Sequence, residues 1–188
     1  MVEIIPYQER WPLEFQEIAA KLRAGLGAFA LRIDHIGSTS VPGLAAKDVI
    51  DIQISVAAFD ASVKARMTAL GYTQPEGIWR DHCPVTVNAP KSAWEKWFFN
   101  PPTGQRRTNT HVRVQGRANQ RYPLLFRDYL RTHQGTAGAY AELKERLATH
   151  LADQDTYPYV KDPAVDLIYF AAEEWAEATG WQPGESDA

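Results

Sequence analysis

The sequence predicts an α+β fold in which a small mixed β-sheet is flanked by helices and the C-terminal part is helical. Three observations carry this reading. Within Val49 to Val56, apolar and polar residues alternate from Ile50 on, apolar residues between Trp11 and Leu26 recur at helical spacing, and the long periodic stretches after Tyr122 are all helical. With 188 residues, 45% of them apolar, the chain can bury a core within the usual size of one domain, and we read residues 1–188 as one such unit.

The first helix is expected over Trp11 to Leu26, where Phe15, Ile18, Leu22 and Leu26 share a face, Pro12 suits the first turn and Gly27 closes the end. A short apolar stretch, Leu31 to Ile36, then runs into the small-residue turn Gly37-Ser38-Thr39-Ser40, which predicts strand and loop. In the next strand Ile50, Ile52, Ile54 and Val56 face one side, so Asp51 and Gln53 share the other. Ala61 to Leu70 predicts a helix stopped by Gly71. Aromatic and β-branched residues in Trp79 to Val87 and Trp94 to Phe99 predict two antiparallel strands. A polar loop from Asn100 to Asn109 leads to a short strand, Thr110 to Val114, on which His111 and Arg113 point the same way. Helices follow over Tyr122 to Arg131, Ala137 to Leu151 and Pro163 to Ala178. In the first of these, Phe126 and Leu130 fall in the core, and Arg127 and Arg131 on a more exposed face. The tail after Gly180 is expected to fray.

Composition excludes several classes of function. A net charge of −3 argues against a general nucleic-acid binder, which needs a strongly basic face, so any polyanion is to be met locally. The single cysteine, Cys83, makes neither an intramolecular disulfide nor a zinc site by itself. His82 and Cys83, adjacent on an expected strand, would point to opposite faces and are read as structural. No apolar run approaches the ~20 residues a membrane-spanning helix needs, and no signal-peptide pattern opens the chain. The expected location is the cytoplasm, and no pattern for an organic cofactor is present.

The chemistry is concentrated between residues 37 and 53. A turn of glycine and hydroxyl residues offers backbone N–H groups and hydroxyls to phosphate oxygens, and Gly37, Ser38, Thr39 and Ser40 form such a turn. Asp51 lies inside an otherwise apolar strand, where a carboxylate without a partner costs a few kcal/mol, so it is either a satisfied structural residue or a functional one. Lys47, Arg106, Arg107 and Arg113 are the nearby basic residues that suit a bound anion; Arg106 and Arg107 either clamp phosphate from a loop or are simply solvated. His35 either orients the turn through a hydrogen bond or is a satisfied strand histidine.

The run His35-Ile36-Gly37-Ser38-Thr39-Ser40-Val41-Pro42-Gly43-Leu44-Ala45-Ala46-Lys47-Asp48-Val49-Ile50-Asp51-Ile52 resembles the signature segment of the GrpB family. The likeness continues through Trp11, Leu70-Gly71-Tyr72, Thr110-His111-Val112, Phe126 to Arg131, Tyr140 with Lys144, and Tyr157 with Lys161, and so covers nearly the whole chain. The resemblance implies the nucleotidyltransferase fold, with the Gly-Ser turn and the acidic strand at one edge of a cleft. It also implies a nucleotide or another phosphate-bearing small molecule as ligand, and Asp51 as the catalytic residue. Lys144 and Lys161 join Lys47 and Arg113 around the phosphates on the strength of the family pattern alone. Similar domains occur fused to dephospho-coenzyme A kinase, which implies a partner enzyme in coenzyme A biosynthesis as the alternative to catalysis. In the wider superfamily the acidic strand carries two carboxylates, with a third on a later strand; here Asp51-Ile52-Gln53 supplies one, and the later strand offers His111 and Arg113. One carboxylate and an amide carry too little negative charge for two divalent ions. Two arrangements stay open: one magnesium held by Asp51, Gln53, His111 and the ligand's phosphates, or phosphate bound by His111 and Arg113 with no metal.

Overall fold

A computed structural model describes residues 2–84 and 86–188. Helix α1 (Arg10–Leu26) is followed by strand β1 (Arg32–Ile36), a single helical turn at Ser38–Ser40, strand β2 (Ile50–Val56) and helix α2 (Ala61–Ala69). Strands β3 (Trp97–Phe99) and β4 (Thr108–Val114) come next, then helices α3 (Ala118–Thr132), α4 (Gln134–His150) and α5 (Tyr157–Thr179). The four strands form one mixed sheet in the order β1-β2-β4-β3, antiparallel at β1–β2 and β3–β4 and parallel at β2–β4.

Alternation on β2 separates the two faces of this sheet. Ile50, Ile52 and Ile54 are fully buried with Ile33 of β1 and Val112 of β4 against Trp11, Phe15, Leu22 and Leu26 of α1 and Met67 of α2. Each such side chain contributes about 1.5–3 kcal/mol by leaving water. The opposite face is polar, with rows set by register: Asp51 opposite Asn109, Gln53 opposite His111, Ser55 opposite Arg113. Helix α3 covers this face, and with α4 and α5 it encloses a second apolar cluster that includes Leu125, Leu130, Tyr140, Tyr169 and Ala172.

Several expected elements are corrected. The described part of Trp79 to Val87 is a loop rather than a strand, joined to the β3 side by the isolated Arg80–Glu95 bridge; Val85 lies outside the described residues. Pro84 has no N–H for a ladder, and Asp81 is drawn inward by buried cations, so propensity is overridden locally. Strand β3 keeps only the last three residues of Trp94 to Phe99, while β4 starts at Thr108 and so takes Asn109 out of the expected loop. Helix α3 begins four residues before Tyr122, because Asn119 and Gln120, polar and outside the apolar stripe, are buried against the sheet. Arg127 is buried rather than exposed: its guanidinium donates to the His35 carbonyl (3.0 Å) and to Asp187 (2.7 Å).

The tail does not fray. Ser186 Oγ accepts from Ile33 N–H (2.8 Å), Asp187 accepts from His35 N–H (2.9 Å), and Ala188 N–H donates to the Ile33 carbonyl (3.1 Å). The open edge of β1 leaves these backbone groups unpaired, and the tail supplies their partners.

Candidate functional site

The Gly37–Ser40 turn sits directly on Asp51. Gly37 has φ +71°, and a Cβ there would fall 2.2 Å from Asp51 Oδ2, so both conformation and space require glycine. The three hydroxyls of the turn have different fates. Thr39 Oγ1 donates to the Val49 carbonyl (3.3 Å) and lies 3.0 Å from His35 Nε2. Its one proton is thereby used, so His35 Nε2–H is the donor in that pair. Burial, aided by the charges of Arg131 and Arg127, lowers the His35 pKa to about 3, and the ring stacks on Phe15. His35 is thus both a satisfied histidine and a support of the turn. Ser40 Oγ donates back to the Gly37 carbonyl (2.6 Å). Ser38 Oγ turns toward a lysine, accepting from Lys144 Nζ at 3.0 Å.

Ser38 and Asp51 line a cavity of ≈ 380 Å³ between the sheet and the C-terminal helices. Among the described residues its charged lining is Lys47, Arg107, Lys144 and Lys161 against the single acid Asp51, with His111 beside them. Tyr122, Phe126, Tyr140 and Tyr157 form an aromatic wall. Asn109 Nδ2 donates to Asp51 Oδ1 (2.8 Å). Burial raises the Asp51 pKa; the Asn109 hydrogen bond and the charges of Lys161, Arg113 and Lys96 oppose that. Lys47 stands 3.9 Å over the Tyr157 ring, and its pKa is lowered by burial and by repulsion from Lys161 and Arg107. Lys144, 3% exposed, donates to Ser38 and to the Ala45 carbonyl; burial first and the Lys161 charge second bring its pKa to about 7. His111 is held neutral mainly by burial, and its Nδ1 has no partner among the described residues.

The geometry separates two residues from the group expected around the ligand. Arg113 donates to both oxygens of Asp81 (2.8 and 2.9 Å) and to Gln53 Oε1 (2.8 Å). Gln53, fully buried, donates in turn to the Gln120 carbonyl (3.0 Å). Neither lines the cavity, and both polar atoms of the Gln53 side chain have protein partners. Thr39, which lines the cavity, and Ser40, which does not, spend their hydroxyl protons on the Val49 and Gly37 carbonyls. Arg106, one of the two loop arginines, is tied to Glu14 (2.8 Å) and to Asp48, leaving Arg107 at the cavity. Sequence reasoning missed Asn109, although its place two residues before His111 puts it on the same strand face. It also missed Asp81, for which no local signal exists, and the aromatic wall.

A mixed sheet carrying a Gly-Ser turn against an acidic strand, with a cavity at their junction, defines a protein of nucleotidyltransferase-like fold. The likeness extends to Cid1 in complex with its short product ApU, which matches with a TM-score of 0.53 over 86% of this chain and 48% of that one, at 13% identity, and shows the fold alone. The chain belongs to the GrpB family: a family model described as GrpB protein matches residues 1–170. The crystal structure of conserved protein GrpB from Enterococcus faecalis matches with a TM-score of 0.70 at 28% identity, covering 92% of this chain and 99% of that one. Among curated proteins the chain is 37% identical, over 97% of its length, to 48% of a dephospho-CoA kinase of Mycolicibacterium paratuberculosis. It is 35% identical to UPF0157 protein YqkA of Bacillus subtilis, over 100% of the chain and 50% of that protein. The chain thus spans about half the length of these curated relatives. Among the described residues no helix is long and apolar enough to cross a membrane.

Proposed function

We propose that this protein binds a nucleotide or a related phosphate-bearing small molecule, with the phosphates at Ser38, Lys144, Lys47, Lys161 and Arg107 and the organic part against the tyrosines. The carrying observation is the imbalance of charge in the cavity: four basic side chains face one carboxylate. Basic side chains held together without matching anions repel one another, and a bound phosphate relieves that repulsion while accepting charge-assisted hydrogen bonds worth about 1.5–3 kcal/mol each. A volume of ≈ 380 Å³ suits a mononucleotide-sized ligand.

The donor set fits a pair of magnesium ions poorly. Asp51 is the only cavity carboxylate, Gln53 is bound to Arg113 and Gln120, and no group of three metal-binding side chains of the His, Cys, Asp and Glu types occurs among the described residues. One magnesium would have Asp51 as its only protein carboxylate and would reach the site with the ligand's phosphates. This favours a binding module, working beside a partner enzyme, over a two-ion transferase. The relatives named dephospho-CoA kinase, half of whose length this chain matches, support a partner of that kind. The second reading, nucleotidyl transfer, is favoured by the close approach of Gly37 to Asp51, which places the turn against an acid as that chemistry requires.

Calorimetry against nucleoside triphosphates and coenzyme A precursors, with and without magnesium, tests both. Binding without pyrophosphate release selects the module, and magnesium-dependent release selects the transferase. No binding by any member of the panel overturns the proposal.

A further inference from the structure

We propose that Ser38 and Lys144 form a nucleophile–base pair, in which Ser38 Oγ attacks the phosphorus of a phosphate ester or anhydride seated in the cavity. This rests on the phosphate-binding reading but does not follow from it. Of the three hydroxyls in the turn, those of Thr39 and Ser40 are occupied by the Val49 and Gly37 carbonyls, which leaves Ser38 facing the cavity with an amine 3.0 Å away. Lys144 is buried, and both its partners, the Ser38 hydroxyl and the Ala45 carbonyl, are neutral; no carboxylate forms an ion pair with it among the described residues.

The charged groups around Lys144 come from three elements. Lys161 on α5 lowers its proton affinity and adds to the effect of burial, while Glu145 on its own helix and Asp51 on β2 act the other way; the Tyr140 ring lies 4.7 Å from Nζ. The balance leaves the pKa at about 7, so near neutral pH a substantial fraction of molecules carries a neutral amine beside the serine hydroxyl. A lysine that only clamps phosphate gains nothing from losing its proton, whereas a general base works best with a pKa near the working pH. Lys47, Arg107 and Lys161 remain to hold the phosphoryl oxygens. In the step itself the Oγ–P bond forms, the bond from phosphorus to the leaving oxygen breaks and its electron pair departs with that oxygen. The Oγ proton passes to Lys144 Nζ, and the product is Ser38 carrying the phosphoryl group.

A small fluorophosphonate undergoes the same displacement, with fluoride leaving, and can be used on the whole chain with the labelled peptide located by mass spectrometry. Ser38 is expected to be labelled at a rate that rises about tenfold per pH unit below about pH 7 and levels above it, as for a base of that pKa. Lys144→Met is expected to slow labelling at least tenfold and to flatten the profile. Lys161→Ala removes the cation that depresses Lys144 and is expected to move the inflection upward, an outcome readable even where Lys144→Met fails to fold. Labelling of Ser38 no faster than that of other serines, or a flat profile indifferent to both substitutions, overturns the pair. Inorganic pyrophosphate titrated into the same preparation separates the two ideas: retained binding with unlabelled Ser38 overturns the pair alone, whereas labelled Ser38 without pyrophosphate binding overturns the phosphate reading.

Discussion

On the polar face of the sheet, Asp81 accepts hydrogen bonds from Arg113, Lys96 and Asn119, while Asp51, two residues from Gln53 on β2, accepts one from Asn109 and faces open space. In the first cluster both cations, Arg113 and Lys96, pair with the Asp81 carboxylate, and Gln53 is closed off by Gln120. In the second, Lys47, Lys144, Lys161 and Arg107 share a cavity with one acid. The second cluster is the more open of the two: Arg107 is exposed and Lys47 and Lys161 are half-buried, whereas Arg113 and Lys96 are buried. A network in which every cation pairs with a carboxylate holds elements together, and one with more cations than carboxylates is set to receive an anionic ligand. The Asp81 carboxyl is accordingly held far below the usual range by Arg113 and Lys96 against the cost of burial, whereas in the cavity burial wins and raises Asp51.

The largest effect should come from breaking the closed cluster. Asp81→Ala leaves Arg113 and Lys96 buried without their anion and is expected to cost about 3–5 kcal/mol in denaturant unfolding. A loss below about 1 kcal/mol would mean that the two clusters do not differ in kind.

Next in size is the pH response of Lys144. Below about pH 7 it is charged in both the folded and the unfolded chain, so its burial cost is fully present; between about 7 and its ordinary value of 10.5 the unfolded chain holds a proton that the folded chain has lost. Stability therefore gains from rising pH across that window, by on the order of a few kcal/mol. Lys144→Met should remove this gain, and the difference between the two proteins' stability–pH curves measures it. Coincident slopes would place Lys144 in an ordinary solvated state.

Gln53→Glu sharpens the comparison from the boundary between the clusters. One of the new carboxylate oxygens would face Arg113, but the other would meet the Gln120 carbonyl where an N–H now donates, so the expected loss is about 1–3 kcal/mol. Magnesium should not recover it, because Gln53 does not line the cavity. Thermal melts with and without millimolar magnesium check this, and a magnesium-induced rise larger than the parent's would put a metal at Gln53 after all. The smallest effect belongs to Ser38→Ala, which should leave the melting temperature unchanged and weaken phosphate-ligand binding by about 1 kcal/mol in calorimetry. A parent-like affinity would displace the ligand from the turn.

The sequence by itself determined the apolar face of β2 and the stripes of α1 and α3, because each is written in local periodicity, while the nearness of the Gly-Ser turn to Asp51 was legible only through the family resemblance. Which polar groups are engaged and which are free was decided only by the tertiary structure. Lys144 meets Ser38 across 106 residues, Arg113 meets Gln53 across 60 and Asp81 across 32, and the tail reaches β1 across about 150. Alternation tells which side of a strand a side chain takes but not whether a partner waits there. For the same reason Arg113 and Gln53, on the same face as Asp51 and His111, read as site residues in the sequence and belong to the closed network in the fold. The free energy of a buried polar group is set by its hydrogen-bond partner, and that partner is chosen by long-range packing.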